Sequence, residues 1–148
     1  MAATKTSKKP INSRAKGARA ERELKNMLKE SFPEYVDDFR RNQDQSERGG
    51  HDILGLPGFA IECKSVAEFS LPRFWTQTVD QAGRVQLLPA LFRKVPLRGW
   101  EVYVHLRDLD PTRFGDTSVD DSEYVCKVSY AAFVQFARRV NSDVKIAA

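Results

Sequence analysis

Gly49-Gly50-His51-Asp52-Ile53-Leu54-Gly55-Leu56-Pro57-Gly58-Phe59-Ala60-Ile61-Glu62-Cys63-Lys64 reads as two short apolar strands joined by a Pro-Gly turn. A carboxylate opens the first strand and Glu-x-Lys closes the second, so two acids and an amine gather on one hairpin. Strand side chains alternate in direction: Glu62 and Lys64 share a face, and Cys63 points the other way, into the core. Two carboxylates able to hold a divalent cation, with a lysine beside them, suit metal-dependent phosphodiester cleavage.

That reading sets a condition on register. With a strict two-residue turn at Pro57-Gly58, Ile53 faces Glu62, and Asp52 falls on the side of Cys63, away from the site. A three-residue loop, or a bulge near Asp52, returns Asp52 to the face of Glu62 and Lys64. An irregularity is therefore expected, with Gly49, Gly50 and Gly55 supplying the backbone freedom.

An Asp, a gap and Glu-x-Lys form a loose pattern. Glu23-Leu24-Lys25 also fits Glu-x-Lys, in a helical stretch with no Asp before it, and Asp44 has a tolerable spacing to Glu62 but lies in the polar run 40–48. Asp52 is the better partner because it enters an apolar strand. The competing reading is a structural hairpin with solvated charges.

Around the hairpin, Ala20, Leu24, Met27 and Leu28 recur at helical spacing within 16–30, and 71–88 reads as a second helix containing Phe74, Val79, Ala82 and Val85. The segment 100–106 alternates as a strand, 123–128 forms another, and 130–140 is an amphipathic helix. A further strand is expected near 35–39, an acidic loop over 108–121, and a fraying tail over 143–148.

This order of elements, with Ala20-Glu21-Arg22, Arg40-Arg41, Asp52-Ile53, Ile61-Glu62-Cys63-Lys64 and Gln81-Ala82, resembles the PD-(D/E)xK nucleases. Within them it is most similar to the archaeal-type and phage-encoded Holliday junction resolvases. The resemblance covers about Lys16 to Arg139. The family's proline before the aspartate is His51 here, which leaves the metal-binding atoms intact. The resemblance implies an α/β, restriction-endonuclease-like fold: a single domain with a mixed central sheet flanked by helices. It implies that Asp52, Glu62 and the backbone carbonyl of Cys63 hold Mg2+, with Mn2+ as the alternative. Lys64 then holds or helps deprotonate the attacking water, Glu21 completes the metal shell or orients water, and Gln81 contributes from the second helix. It also implies branched DNA as substrate and a homodimer, with Leu71, Phe74, Trp75, Leu87 and Leu88 as a plausible interface.

Each residue has a structural alternative. Glu21 suits a solvated helix face, paired with Lys25 at i,i+4. Gln81 suits a surface amide, Lys64 an exposed edge-strand lysine, and His105 a structural position. Phe74 and Trp75 suit base stacking less well than core or dimer contacts. His51 beside Asp52 also fits a His-Asp phosphohydrolase, but such sites need several histidines and the chain has two.

Charge points to a polyanionic partner. The 148 residues carry a formal net charge of +4, with a pI near 9.2. In the first 22 residues Lys5, Lys8, Lys9, Arg14, Lys16, Arg19 and Arg22 meet only Glu21. The expected organisation is a basic, flexible arm over 1–15, a nuclease domain over 16–142 and a short tail over 143–148. The arm grips phosphate or serves as a solubilising tail. Lys16, Arg19, Arg22, Arg40, Arg41 and Arg48 are the expected DNA contacts. No membrane span or secretory signal is evident, and the expected location is the cytoplasm of a prokaryotic or phage-infected cell. Cys63 and Cys126 read as free core thiols. Three functions stay open: a Mg2+-dependent junction resolvase, a nuclease of the same fold acting on flapped, nicked or duplex DNA, and a DNA-binding protein of that fold without catalysis.

Overall fold

Ala20, Leu24 and Leu28 are all buried, and their i,i+4 spacing makes Ser13–Ser31 an amphipathic helix, α1, with one face to the core. In the computed structural model, residues 13–42 and 51–147 are described. Residues 1–12 of the basic arm expected over 1–15, Arg48 in the polar run, and Gly49 and Gly50 lie outside the described residues. After α1 come a 3-10 turn, Pro33–Tyr35, and the strands β1 (Arg40–Arg41), β2 (Ile53–Leu54) and β3 (Phe59–Lys64). The helix α2 (Leu71–Val85) leads to β4 (Leu88–Val95) and β5 (Gly99–His105). Two short helices, α3 (Leu106–Leu109) and α4 (Pro111–Phe114), precede a 3-10 turn at Ser122–Tyr124, the strand β6 (Val125–Val128) and the helix α5 (Tyr130–Ala147).

The strands form one six-stranded sheet in sequence order, β1 to β6. Every pair is antiparallel except β3 and β4, which run parallel because α2 carries the chain back between them. One face packs Ile53, Phe59, Ile61, Cys63, Phe92 and Val102 against α1 and α5. The other packs Leu91 and Tyr103 against Phe74, Trp75 and Val79 of α2. This is the expected α/β domain with a mixed sheet and helices on both faces.

Several expected elements differ. The strand near 35–39 is replaced by the 3-10 turn begun by Pro33, and pairing starts only at Arg40. The second helix stops at Val85, because Gln86 takes a left-handed conformation (φ 56°) and its N–H closes on the carbonyls of Ala82 and Gly83. Leu87 and Leu88 therefore leave the helix, and Leu88 opens β4, a strand the sequence reading passes over. The acidic loop over 108–121 contains α4, capped by the Asp110 carboxylate, and ends at Asp121, whose carboxylate caps the 3-10 turn that follows at Ser122–Tyr124. The last helix continues to Ala147 instead of ending at Val140.

The hairpin has the required irregularity. Ile53 pairs with Ile61, one residue away from the register a strict two-residue turn would set, so Asp52 falls opposite Glu62; Gly55 to Gly58 connect the two strands. Pro57 followed by Gly58 at φ 88° meets the needs of a type II turn, closed by Phe59 N–H to the Leu56 carbonyl at 3.3 Å. Helix α5 holds this turn: the Asn141 amide donates to the Pro57 carbonyl at 2.6 Å in its satisfied orientation. A Cβ on Gly55 (φ 117°) would lie 2.5 Å from the Asp38 carbonyl oxygen. Gly55→Ala is expected to lower stability by roughly 2 kcal/mol or more in urea unfolding, through backbone strain and that clash; a change under 0.5 kcal/mol would contradict the geometry.

The α5 side of the core is aromatic. Phe133 meets Phe59 at 5.2 Å and Phe92 at 4.9 Å, both edge to face. Phe133→Ala should destabilise by about 3–5 kcal/mol, read as a lower urea midpoint with unchanged slope.

Candidate active site

Asp52, Glu62 and Lys64 converge because directly opposed residues of an antiparallel pair share a face and residues two apart along a strand do too. Asp52 and Glu62 are 5% and 4% exposed. Asp52 is fixed from three sides. Its Oδ2 accepts the Cys63 N–H at 2.6 Å, its N–H donates to the Ile61 carbonyl at 2.8 Å, and its carbonyl accepts the Asn42 N–H at 2.8 Å. The Asn42 side chain adds a bond to the His51 carbonyl at 3.0 Å. Asn42 thus clamps the approach to Asp52, a role its place in a polar run did not reveal.

Glu62 Oε1 lies 3.3 Å from Lys64 Nζ. Its Oε2 is buried and has no hydrogen-bond partner. Burial, then the neighbouring Asp52 carboxylate, pushes the Glu62 carboxyl up to about 8, against the pull of Lys64. Lys64 lies in an interior strand between β2 and β4, which removes the edge-lysine reading. Its ammonium sits 5.1 Å from the centre of the Phe74 ring, so α2 supports it from below.

Glu21 reaches this group from α1. Its Oε2 accepts a 2.9 Å bond from Arg41 Nε, so its partner is a strand arginine and not Lys25 on its own helix. Burial raises its carboxyl above the ordinary range, opposed by the Arg41 bond and reinforced by Asp52. Lys64 also acts on Glu21 through its charge, so Glu21, Asp52, Glu62 and Lys64 form one electrostatic unit. Gln81 takes no part in these couplings. It is half-buried on the α2 stripe that also carries Phe74 and Thr78, with its Oε1 buried and unpartnered.

Cys63 faces the α1 side, and burial followed by the surrounding carboxylates raises its thiol far above the usual range. Cys126 is likewise a free thiol. His51 is 6% exposed and burial lowers its imidazole. His105 is fully buried, with Nε2 at 3.0 Å from the Asp121 carbonyl and Nδ1 accepting the Arg107 N–H, a structural role. Phe74 and Trp75 are 7% and 0% exposed, so the core uses the two aromatics expected at a dimer interface.

A cavity of about 420 Å³ opens beside the site, lined by Ser13, Lys16, Gly17, Cys63, Lys64 and Ser65 among others. Lys16 thereby joins Lys64 on one surface. Arg19, Arg22 and Arg40 are exposed, and Arg41 is half-buried in its pair with Glu21. A larger cavity, about 810 Å³, lies between α3, α4 and α5 and shares no residue with this group. Among the described residues no cluster of three or more His, Cys, Asp or Glu has metal-ligating geometry. The site offers instead two buried carboxylates, hard oxygen donors suited to Mg2+ or Mn2+. The unpartnered Glu62 Oε2 fits such a cation, because a buried carboxylate beside a second one is neutralised either by a proton or by a bound positive charge.

No helix among the described residues is long and apolar enough to cross a membrane. None of the curated proteins compared with the chain matches it. The sequence model of the family described as "Phage putative PDDEXK endonuclease" matches residues 12–130. That match spans the helix bearing Glu21, the hairpin bearing Asp52, Glu62 and Lys64, and all six strands, and the chain belongs to this phage endonuclease family of the PD-(D/E)xK superfamily.

Proposed function

We propose that the chain is a Mg2+-dependent, structure-selective DNA endonuclease that resolves four-way junctions in the cytoplasm of a phage-infected cell. The observation that carries the metal-dependent chemistry is the buried, mutually repelling Asp52–Glu62 pair with Lys64 beside it and Glu62 Oε2 unpartnered. Asp52, Glu62 and the Cys63 carbonyl would hold Mg2+, or Mn2+, with Glu21 completing the shell. A cation bound there lowers the pKa of water and draws charge from the phosphoryl oxygens. Lys64 Nζ holds the attacking water and donates to a phosphate oxygen, while Glu62 Oε1 keeps that ammonium in place. Arg41 fixes the carboxylate of Glu21, and Gln81 orients solvent from α2.

Lys16, Arg19, Arg22 and Arg40 would steer the DNA backbone to the site, and Arg48 would extend that surface. Two copies arranged about a two-fold axis would present two sites to opposed strands of a junction. A monomeric mass by light scattering at micromolar concentration, with cleavage intact, would remove the dimer. Removing residues 1–12 leaves α1 whole and should weaken DNA binding and reduce its salt dependence. An unchanged salt slope would make the arm a tail only.

The test of substrate choice is a panel of labelled four-way junction, flap, nicked and plain duplex DNA in Mg2+. Symmetric cuts confined to the junction are expected. Cleavage of the other forms would move the protein to the broader nuclease reading, and tight binding with no cutting to the non-catalytic one.

A further inference from the structure

The sheet register places Arg93 on β4 directly beside Lys64 on β3, and Glu101 on β5 beside Arg93. Adjacent strands lie about 4.8 Å apart and paired residues share a face. Arg93 therefore stands one strand over from Lys64, on the same face as the candidate catalytic group. Its guanidinium lies 4.4 Å from the centre of the Phe69 ring. Phe69 in turn packs on Phe74 and on Tyr103, each at 5.4 Å between ring centres. Phe74 carries Lys64 at 5.1 Å and Arg73 at 5.6 Å. Three cations thus rest on one aromatic platform at the end of the sheet where Lys64 sits.

We propose that Arg93, flanked by Arg73, is a second phosphate-binding point that takes the phosphodiester next to the one being cut. The proposal rests on the nuclease reading and adds the direction of the bound strand, across the strand ends from β3 towards β5. A guanidinium stacked on an aromatic face keeps its planar edge for bidentate recognition of phosphate. Arg93 is engaged at the Glu101–Tyr103 pair only by a long contact: Nη1 reaches Glu101 Oε2 at 3.5 Å, its charge also bears on the Tyr103 hydroxyl, and Nε is buried without a partner. Glu101 has two partners besides Arg93: it accepts a 2.7 Å bond from the Tyr103 hydroxyl and lies 3.8 Å from Lys127 Nζ. A phosphate can replace the long Arg93–Glu101 contact while Glu101 keeps these two partners.

The experiment measures junction and duplex binding in EDTA across a salt series, alongside cleavage in Mg2+, for wild type, Arg93→Ala, Arg93→Lys and Glu101→Gln. Arg93→Ala should weaken binding about tenfold and reduce the slope of log K against log salt by about 0.9, the loss of one phosphate contact. Arg93→Lys should keep the slope, because the charge remains. Glu101→Gln should tighten binding several-fold, and Asp116→Asn, the same charge change at an exposed position after α4, should not. Wild-type affinity and slope in Arg93→Ala would overturn the proposal while wild-type cleavage left the nuclease reading standing. Should Arg93→Ala fail to fold, unchanged or weaker binding by Glu101→Gln would overturn it equally. A wild type that neither binds nor cuts DNA would remove the nuclease reading and this inference together.

Discussion

Glu62→Gln should lower cleavage by about 10³-fold or more and, in EDTA at alkaline pH, make the protein more stable than wild type. The first effect would follow from the metal-holding role proposed for Glu62. The second follows from linkage. The Glu62 carboxyl is raised from 4.5 to about 8 in the folded protein, chiefly by burial and then by Asp52. The folded state therefore holds this proton more tightly than the unfolded chain does. The stability this proton contributes is complete below pH 4.5 and is lost as pH rises through about 8, at a cost on the order of 5 kcal/mol as an upper bound. Glutamine does not ionise and escapes that loss. Urea unfolding in EDTA at pH 5.5 and pH 9 reads the difference: wild type should lose several kcal/mol more than the variant. Equal pH dependence in the two proteins would show that Glu62 is not the strained, buried acid described here. Mg2+ should restore much of the wild-type deficit at pH 9, with release of a proton, and should do little for the variant.

Asp52→Ala should abolish cleavage to a similar extent and move stability the other way. At pH 6 Glu62 is largely protonated, so removing Asp52 relieves little repulsion. What it removes is the acceptor for the buried Cys63 N–H, a 2.6 Å bond. An orphaned buried donor costs about 1–3 kcal/mol, so the Asp52→Ala urea midpoint should fall. Junction binding in EDTA should survive both substitutions, since it depends on dispersed phosphate contacts. An Asp52→Ala urea midpoint equal to or above that of wild type at pH 6 would contradict the structural role given to Asp52. One carboxylate is held by the fold, and the other is tolerated by it.

The sequence made the grouping of the candidate residues on one hairpin legible because that grouping is local. Asp52, Glu62 and Lys64 lie within 13 residues, strand alternation fixes which side chains share a face, and the demand for a common face requires a three-residue loop or a bulge, a register shift that the pairing of Ile53 with Ile61 shows. Glu21 needed the resemblance, since its spacing alone favours a helix-surface pair with Lys25. Its actual partner, Arg41, is twenty residues on and belongs to a strand two residues long. Strand β4 was not legible, because a strand buried on both faces reads as an unbroken apolar run, and Leu87-Leu88 continues the helical pattern past a stop made by Gln86. No glycine or asparagine marks that stop. Once β4 is missed, Arg93 has no face, and its position beside Lys64 cannot be read. The short helices after β5 were hidden by the Asp-rich composition; Asp110 caps the second of them and His105 the first.

The central claim is that Asp52, Glu62 and Lys64 form a metal-dependent nuclease centre. Its most direct test incubates wild type and Glu62→Ala with labelled four-way junction DNA in Mg2+ and in EDTA, at a protein concentration where both bind the junction. The account predicts cleavage by wild type in Mg2+ only, and none by the variant in either condition. Equal cleavage by both proteins, or cleavage by wild type in EDTA, would contradict it.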